Sequence, residues 1–525
     1  MPDLAWAWFA AVVVCIVCSA VSWAIRQRRK CFKDFEGTRI PTVPLRSLIN
    51  GNADEYWKPT TIESIGRWLK EYGDVFGFYL GDAPIVVVKD LDMIDKMFVK
   101  DLKNFTARGH TMHVHELQPA FVRNILFTKG NVWKDMRNTM AQFFTQSKLK
   151  TVMPSLMDAQ NRFIEILDEC ADQGKEVDIN TLCERLTFDV VSKTAFGIDT
   201  NVQRNPQYPL FQIALVTVPS FMAGFFYRLA QNLFHWPWLF KAFSQVIDVF
   251  YVNPMVAMTK KAVDVIEFRR QNPQLVLPDM AQILLDDALE RKTEELKKKN
   301  EPIKTPISLP METMTDIATN CMNIFLGGYD PTRLALTYWF YVMGRYPDIQ
   351  EKMRTEVLDA FKKEGDELSM HTLLNLPYTN QVISETLRMY PPLVTLIARG
   401  SDEDFQCGKY LIKKGMSIMS PTYQLHYDPQ YWTNPQKFDP ERFSPENKHL
   451  VNPIAYQPYG LGLRMCIGHR LALVELPSVT AQVLRHFRIA LGPSQAPELE
   501  LDTYAVLSVP KEKVWVEIHK LNNVK

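Results

Sequence analysis

The stretch from Gln457 to Ala472, QPYGLGLRMCIGHRLA, constrains this chain more than any other. A single cysteine, Cys466, sits in a glycine-rich loop with a cation two residues before it, and a helical-looking run, Arg470 to Leu476, follows. A free thiol is mostly protonated at neutral pH, so a cysteine that serves as a thiolate ligand needs a metal. It also needs backbone N–H groups aimed at the sulfur, as a tight loop opening a helix provides. Gly460, Gly462 and Gly468 let backbone approach a large flat group without Cβ clashes, and Arg464 supplies a cation for its carboxylates. The ordinary alternative for a lone cysteine of this kind is a buried structural thiol beside a turn.

The loop does not stand alone. Tyr459, Gly462, Arg464, Cys466 and Gly468 resemble the haem-thiolate signature of the cytochrome P-450 family, F-x-x-G-x-R-x-C-x-G, with Tyr459 in the Phe slot. Further segments resemble the same family in order along nearly the whole chain, and KDLDMIDKMFVKD, QSKLK and ETLRMYPP are similar to its eukaryotic microsomal members of the family 3 and thromboxane synthase group. The resemblance implies a mainly α fold with small β-sheets in a single large domain. It also implies haem b, with Cys466 as the iron ligand and Tyr459, Arg464 and Gly468 around the cofactor.

A chain of 525 residues with 46% apolar and 23% charged residues has ample material for a packed core. A net charge of +1 gives no basis for nucleic-acid binding. The eight cysteines are scattered, apart from the close pair Cys15 and Cys18, which argues against a zinc site and a disulfide scaffold.

Residues 4 to 25 carry no charge, long enough to cross a hydrocarbon core as a helix, and Arg26, Arg28, Arg29 and Lys30 follow at once. The positive-inside rule keeps that basic side cytoplasmic. The length and the position of the charges favour an uncleaved signal anchor over a cleaved signal peptide. The expected organisation is an anchor with its basic stop over 1–30, a proline-containing tether over 31–55 and a catalytic domain over 56–525. The resemblance places the anchor in the endoplasmic reticulum membrane as a single pass, with the catalytic domain cytosolic.

Along the domain, Thr61 to Tyr72 reads as an amphipathic helix, and two apolar runs around Gly81-Asp82 read as a β-hairpin. Trp133 and Arg137 lie four apart on a helix face. Such a pair is often a simple surface stack, but it matches the family's W-x-x-x-R, which implies contact with a haem propionate. Residues 206 to 227 are uncharged but interrupted by Pro209 and Pro219, which argues against a second span. The resemblance makes this segment the roof of the substrate cavity, beside the bilayer; plain core is the equal alternative. Residues 290 to 310, rich in Lys and ending in prolines, read as an exposed linker.

Met311 to Tyr346 reads as one long helix with Gly327-Gly328-Tyr329-Asp330-Pro331-Thr332 at its centre. Two mid-helix glycines destabilise it by about 1 kcal/mol each relative to alanine, so a packing reason is wanted, and a flat ligand against the helix supplies one. The segment resembles the family's distal motif [AG]-G-x-[DE]-T. Asp330 fills the acid slot, but Pro331 stands where the oxygen-activating threonine belongs, with Thr332 one residue on. Because proline lacks an N–H and crowds the carbonyl four residues back, the helix is expected to open there. The resemblance gives Asp330 and Thr332 the proton relay.

Glu385 and Arg388 sit at i and i+3 and match the family's E-x-x-R, completed by Arg442; the resemblance makes this trio a structural lock beneath the haem loop. Arg399 is expected at the second propionate, with Leu393 to Ala398 and Phe127 to Gly130 near the cavity.

The leading expectation is a monooxygenase that inserts one atom of O2 into a lipophilic substrate. Its partners would be NADPH–cytochrome P-450 reductase, which supplies the electrons since the chain has no dinucleotide segment, cytochrome b5 as a second candidate, and membrane lipid. Lys134, Lys148, Lys150 and Arg470 are candidates for that docking, or plain surface charge. The alternatives are a thromboxane-synthase-like peroxide isomerase needing neither O2 nor NADPH, suggested only by Pro331, and a haem-binding carrier without turnover.

Overall fold

The structure is a computed structural model that describes residues 18–19, 22–101, 103–109, 123–223, 225–250, 254–303, 305–504 and 506–521, side chains excepted at 217–227 and 247–255. Most of the expected anchor, residues 4 to 17 and 20 to 21, lies outside these. Among the described residues no helix is long and apolar enough to cross a membrane.

A four-stranded sheet lies at one side of a mostly helical body. Strands β1 (Val75–Leu80) and β2 (Ala83–Val88) form the expected antiparallel hairpin, and β3 (Ala398–Gly400) and β4 (Ser417–Met419) extend it in the order β1-β2-β4-β3. Strand β2 pairs with β4 in parallel, and β1 and β2 are buried at every position. Burial on both faces explains why these strands read as continuous apolar runs. Helix α1 (Thr61–Tyr72), capped by the Thr60 side chain on the Glu63 N–H, packs Ile65 and Trp68 against Phe76 and Phe78. The proline-containing segment docks on the hairpin: Gly77 donates to Pro41 O at 2.7 Å, Val43 donates to Gly77 O at 2.9 Å, and the Val43 side chain is buried.

The body comprises α2 (Gly130–Ala141), α3 (Gln146–Gln173), α4 (Ile179–Phe196), α5 (Pro209–Ala223), α6 (Phe225–Asn232), α7 (Pro237–Phe250), α8 (Pro254–Gln271) and α9 (Met280–Lys298). Then follow α10 (Met311–Arg345), α11 (Pro347–Glu364), α12 (Pro377–Met389) and α13 (His469–His486). Helix α10, 35 residues and so about 50 Å long, packs against α4 and α8 and is buried around most of its circumference. That burial accounts for its apolar middle.

Three local expectations are corrected. Residues 290 to 298 are the last turns of α9 rather than linker. Lys and Glu are good helix formers, and Glu295 pairs with Lys292 at 2.9 Å and Lys299 at 2.6 Å. Helix α5 runs through Pro219 instead of breaking there. Helix α10 likewise continues through Pro331 without a break, its packing along both flanks holding the segment helical where one backbone bond is lost.

Candidate active site

One large cavity separates α10 from the Cys466 loop and α13, with about 1960 Å³ of atom-free space, mouth included. Its far wall is Asn323 to Ala335 of α10, and its near wall is Pro458 to Cys466 and the first turns of α13. Leu393, Leu396 and Ile397 line it as expected, whereas Ile125 and Leu126 take the place expected of Phe127 to Gly130.

The two mid-helix glycines of α10 have separate reasons. A Cβ on Gly327 would meet nothing within 4 Å, so that face of the helix lies open, with Gly327 itself on the cavity wall. A Cβ on Gly328 would come 2.8 Å from Val191 Cγ1, so there the glycine lets α4 approach.

Cys466 lines the cavity as a free cysteine. Its N–H donates to Tyr459 O at 2.8 Å, which closes the loop. Gly462 shapes that loop: its φ is +61°, and a Cβ would overlap the Phe98 carbonyl oxygen. Burial pushes the Cys466 thiol up, against the opposing pull of the Gly468 and His469 N–H groups and of Arg108 and Arg137.

Four guanidinium groups, Arg108, Arg137, Arg399 and Arg464, line the same cavity. Their bonds run to backbone carbonyls. Arg464 donates to Thr106 O at 2.7 Å, Ile125 O at 2.9 Å and Thr128 O, and its guanidinium lies 4.2 Å over the Trp133 ring. Arg137 donates to Met465 O at 2.9 Å, and its guanidinium is 5.8 Å from the same indole. Arg399 donates to Ala398 O at 2.8 Å and Leu461 O at 2.7 Å. Among the described residues Arg108 has only long contacts, 3.4 Å to Leu396 O and 3.5 Å to Arg464 O, and its buried Nε has no partner there. Among the described residues no carboxylate pairs with any of the four. Desolvation and mutual repulsion push Arg464 down to about 8 and hold Arg399 well below the usual guanidinium range. Arginine stays charged in proteins, so such a cluster demands an anionic guest.

Asp330 and Thr332 both line the cavity. Asp330 is paired: Arg333 reaches its Oδ1 at 2.9 and 3.2 Å and donates to Asn180 Oδ1 at 2.6 Å. Beneath the loop, Arg388 binds Glu385 at 2.7 and 2.9 Å, and Arg442 reaches Glu385 Oε1 at 3.3 Å.

Four residues escaped the sequence reading. Arg108 lies outside the quoted motifs, and only a lone cation in an otherwise uncharged stretch marks it. His426 is fully buried: its Nε2 accepts the Gln457 N–H at 2.9 Å, which leaves Nδ1 to donate to Arg388 O at 2.9 Å. It thereby joins the Glu385–Arg388 pair to the start of the cysteine loop. Glu475 stands on the cavity wall with one carboxyl oxygen unpartnered, and burial pushes it up to about 8, so it is mostly protonated at neutral pH. An acid inside the apolar run of α13 was its signal. Arg333 was legible only as i+3 from Asp330.

A cysteine facing an apolar cavity rimmed by unpaired guanidiniums, opposite a long helix with an open glycine face, defines a haem-thiolate protein. The family model "Cytochrome P450" matches residues 41–516, and the chain belongs to that family. Curated relatives include "Cytochrome P450 3A5" of Homo sapiens, 28% identical over 89% of this chain and 88% of the relative. "Probable cytochrome P450 9f2" of Drosophila melanogaster is 28% identical over 85% and 86%, and "Thromboxane-A synthase" of Sus scrofa is 28% identical over 86% of each. The chain is a cytochrome P450 monooxygenase, similar to family 3 members among others, and the family implies haem.

Proposed function

We propose that this monooxygenase inserts one atom of O2 into a lipophilic organic substrate with electrons drawn from NADPH through a separate reductase. The observation that carries the reading is the four-guanidinium cavity with Cys466 on one wall and Asp330 and Thr332 on the other. In this reading Cys466 would supply the thiolate that holds the iron, and Arg108, Arg137, Arg399 and Arg464, with Trp133 braced between two of them, would hold the propionates. Tyr459 and Gly468 flank the cofactor, and Glu385, Arg388 and Arg442 support the loop. When bound, haem supplies the redox chemistry, and a thiolate ligand favours O–O cleavage.

The chain's own residues do the rest. With haem bound, the Cys466 thiol would give its proton to solvent, and the Gly468 and His469 N–H groups would help hold the sulfur negative. Leu126, Leu393, Leu396 and Ile397 offer a lipophilic substrate an apolar surface that excludes water. Asp330 and Thr332 hand protons into the cavity, with Arg333 holding the Asp330 carboxyl in place.

Exposed Trp238, Phe243 and Val246 of α7, with Trp23, Ile25 and Ile49 from the N-terminal side, support a membrane-facing side; the endoplasmic reticulum location rests on the likeness to the P450 3A relatives. A peroxide isomerase is the second reading, favoured by the one observation that Pro331 occupies the position directly after Asp330 on the cavity wall, with the hydroxyl of Thr332 displaced one residue along.

The deciding experiment measures NADPH-dependent oxygen uptake and product with a reductase, for the parent and Pro331→Thr. Hydroxylated product coupled to NADPH supports the monooxygenase reading. No oxygen uptake, together with consumption of a lipid hydroperoxide without NADPH, selects the isomerase.

A further inference from the structure

Outside the cavity, a second group of chemically capable side chains gathers where three segments meet. Cys31 and Asp34 follow the helical residues 22–30, Asp82 sits at the hairpin turn between β1 and β2, and His235 lies in the connection between α6 and α7. Asp82 is fully buried. Its Oδ1 accepts the Phe234 N–H at 2.8 Å, its own N–H donates to Gln231 O at 3.1 Å, and its Oδ2 pairs with Arg28. Cys31 is 6% exposed, and among the described residues its thiol makes one hydrogen bond, a weak one of 3.6 Å to Gln27 O.

The imidazole is the informative group. Its Nε2 faces Asp34 Oδ1 at 3.4 Å, while its buried Nδ1 has no hydrogen-bond partner and stands 3.6 Å from Asp82 Oδ2, beyond hydrogen-bond reach. One ligand atom from each of Cys31, Asp82 and His235 lies within 4.8 Å of the other two. A sulfur, a nitrogen and a carboxylate oxygen converge, and a carboxylate stands behind the far ring nitrogen, as it commonly does behind metal-bound histidine.

We propose that Cys31, Asp82 and His235 form a site for a zinc-type divalent cation that ties the α6–α7 connection to the β-hairpin and to the chain entering from the N-terminus. The donor set suits that ion class, with water as the fourth ligand. Charge balances: Asp34, Asp82 and a Cys31 thiolate carry three negative charges, and Arg28 with a divalent ion carries three positive. Against desolvation, Asp34 and Asp82 push the His235 imidazole up to about 9. Binding at neutral pH therefore breaks both the Cys31 S–H bond and an imidazolium N–H bond, forms sulfur–metal and nitrogen–metal bonds and releases two protons to solvent, without electron transfer, so affinity rises with pH. A tetrahedral ion with bonds of about 2.0–2.3 Å spaces its ligands about 3.3–3.8 Å apart, so the donors move inward by up to about 1 Å. The ion therefore draws the connection between α6 and α7 toward the sheet.

The test uses the haem-loaded full chain, stripped with a chelator and titrated with Cd2+ alone. A saturable site of one ion per chain with a thiolate-to-cadmium ultraviolet band is expected. Cys31→Ser should abolish the band, His235→Ala should weaken binding at least about tenfold, and Asp34→Asn should weaken it about 10- to 100-fold. The controls Cys18→Ser and Cys170→Ser should keep it. The carbon monoxide spectrum of each variant checks that the body is intact; should His235→Ala fail to fold, the sulfur-to-oxygen exchange at Cys31 decides. Absence of a stoichiometric site, or a band that survives in Cys31→Ser, overturns the proposal.

Discussion

Glu385 receives both Nε and Nη2 of Arg388, at 2.7 and 2.9 Å, where neither side chain meets solvent. The same carboxylate takes Arg442 at 3.3 Å and the Asp439 N–H at 2.9 Å, while Arg388 reaches on to His426 O and Pro435 O. Glu385→Gln leaves a buried guanidinium without its counter-ion, and a loss of about 3–5 kcal/mol is expected. Chemical denaturation reads it. A change below about 1 kcal/mol would show that the pair is not what holds this region together.

His426 gives the protein an acid-side weakness. Burial and the neighbouring Arg388 push its imidazole down to about 3 from an ordinary value of 6.5. The unfolded chain therefore binds a proton that the folded chain refuses. Its contribution is complete above about 6.5 and is lost progressively as pH falls toward 3, at up to about 1.4 kcal/mol per pH unit. In His426→Asn, where nothing titrates, the stability–pH slope over that window should be shallower by about one proton.

Gly462 and Gly468 should respond to alanine in opposite ways. Gly462→Ala meets both a positive φ and the Phe98 carbonyl, and is expected to destabilise the chain by about 1–3 kcal/mol with or without haem. At Gly468 the nearest atom to an added Cβ is Phe144 Cε1 at 3.6 Å, an ordinary contact. Gly468→Ala should leave the haem-free protein unchanged and lower only haem retention. Thermal melts of loaded and emptied protein separate the two.

Arg108 offers a test with a reversal of sign. It is weakly tied and repelled by Arg137, and burial pushes it down to about 10. Replacing a buried charge by an apolar side chain of similar volume is often stabilising by about 1–4 kcal/mol. Arg108→Leu is thus expected to raise the melting temperature of the haem-free protein and to speed loss of haem from the loaded one. Destabilisation of both forms would remove Arg108 from the anion-holding set.

The sequence was most legible where one residue type serves one purpose. The hairpin, α1 and α10 followed from patterning, because strand burial and helical periodicity leave marks in adjacent residues, whereas the reading of the cysteine loop and of the Glu385–Arg388–Arg442 trio rested on the family resemblance. Arg108 and His426 left none, since their meaning comes from carbonyls and side chains hundreds or tens of residues away. The Lys-rich residues 290 to 298 misled for a different reason: composition records charge but not the helix that arranges it. Pro331 was read as an opening of the helix, yet tertiary packing on both flanks outweighs the one backbone bond it removes.

The guanidinium donors fasten themselves to carbonyls of Thr106, Ile125, Thr128, Leu396, Ala398, Leu461, Arg464 and Met465, segments that are remote in the chain. Folding of these segments and capture of the dianionic cofactor are consequently one equilibrium. At a free cofactor concentration 100 times its Kd the loaded form gains about 2.7 kcal/mol over the empty one. In a cell short of haem the same protein would be made and then degraded, so its abundance would follow haem supply even at a constant rate of synthesis.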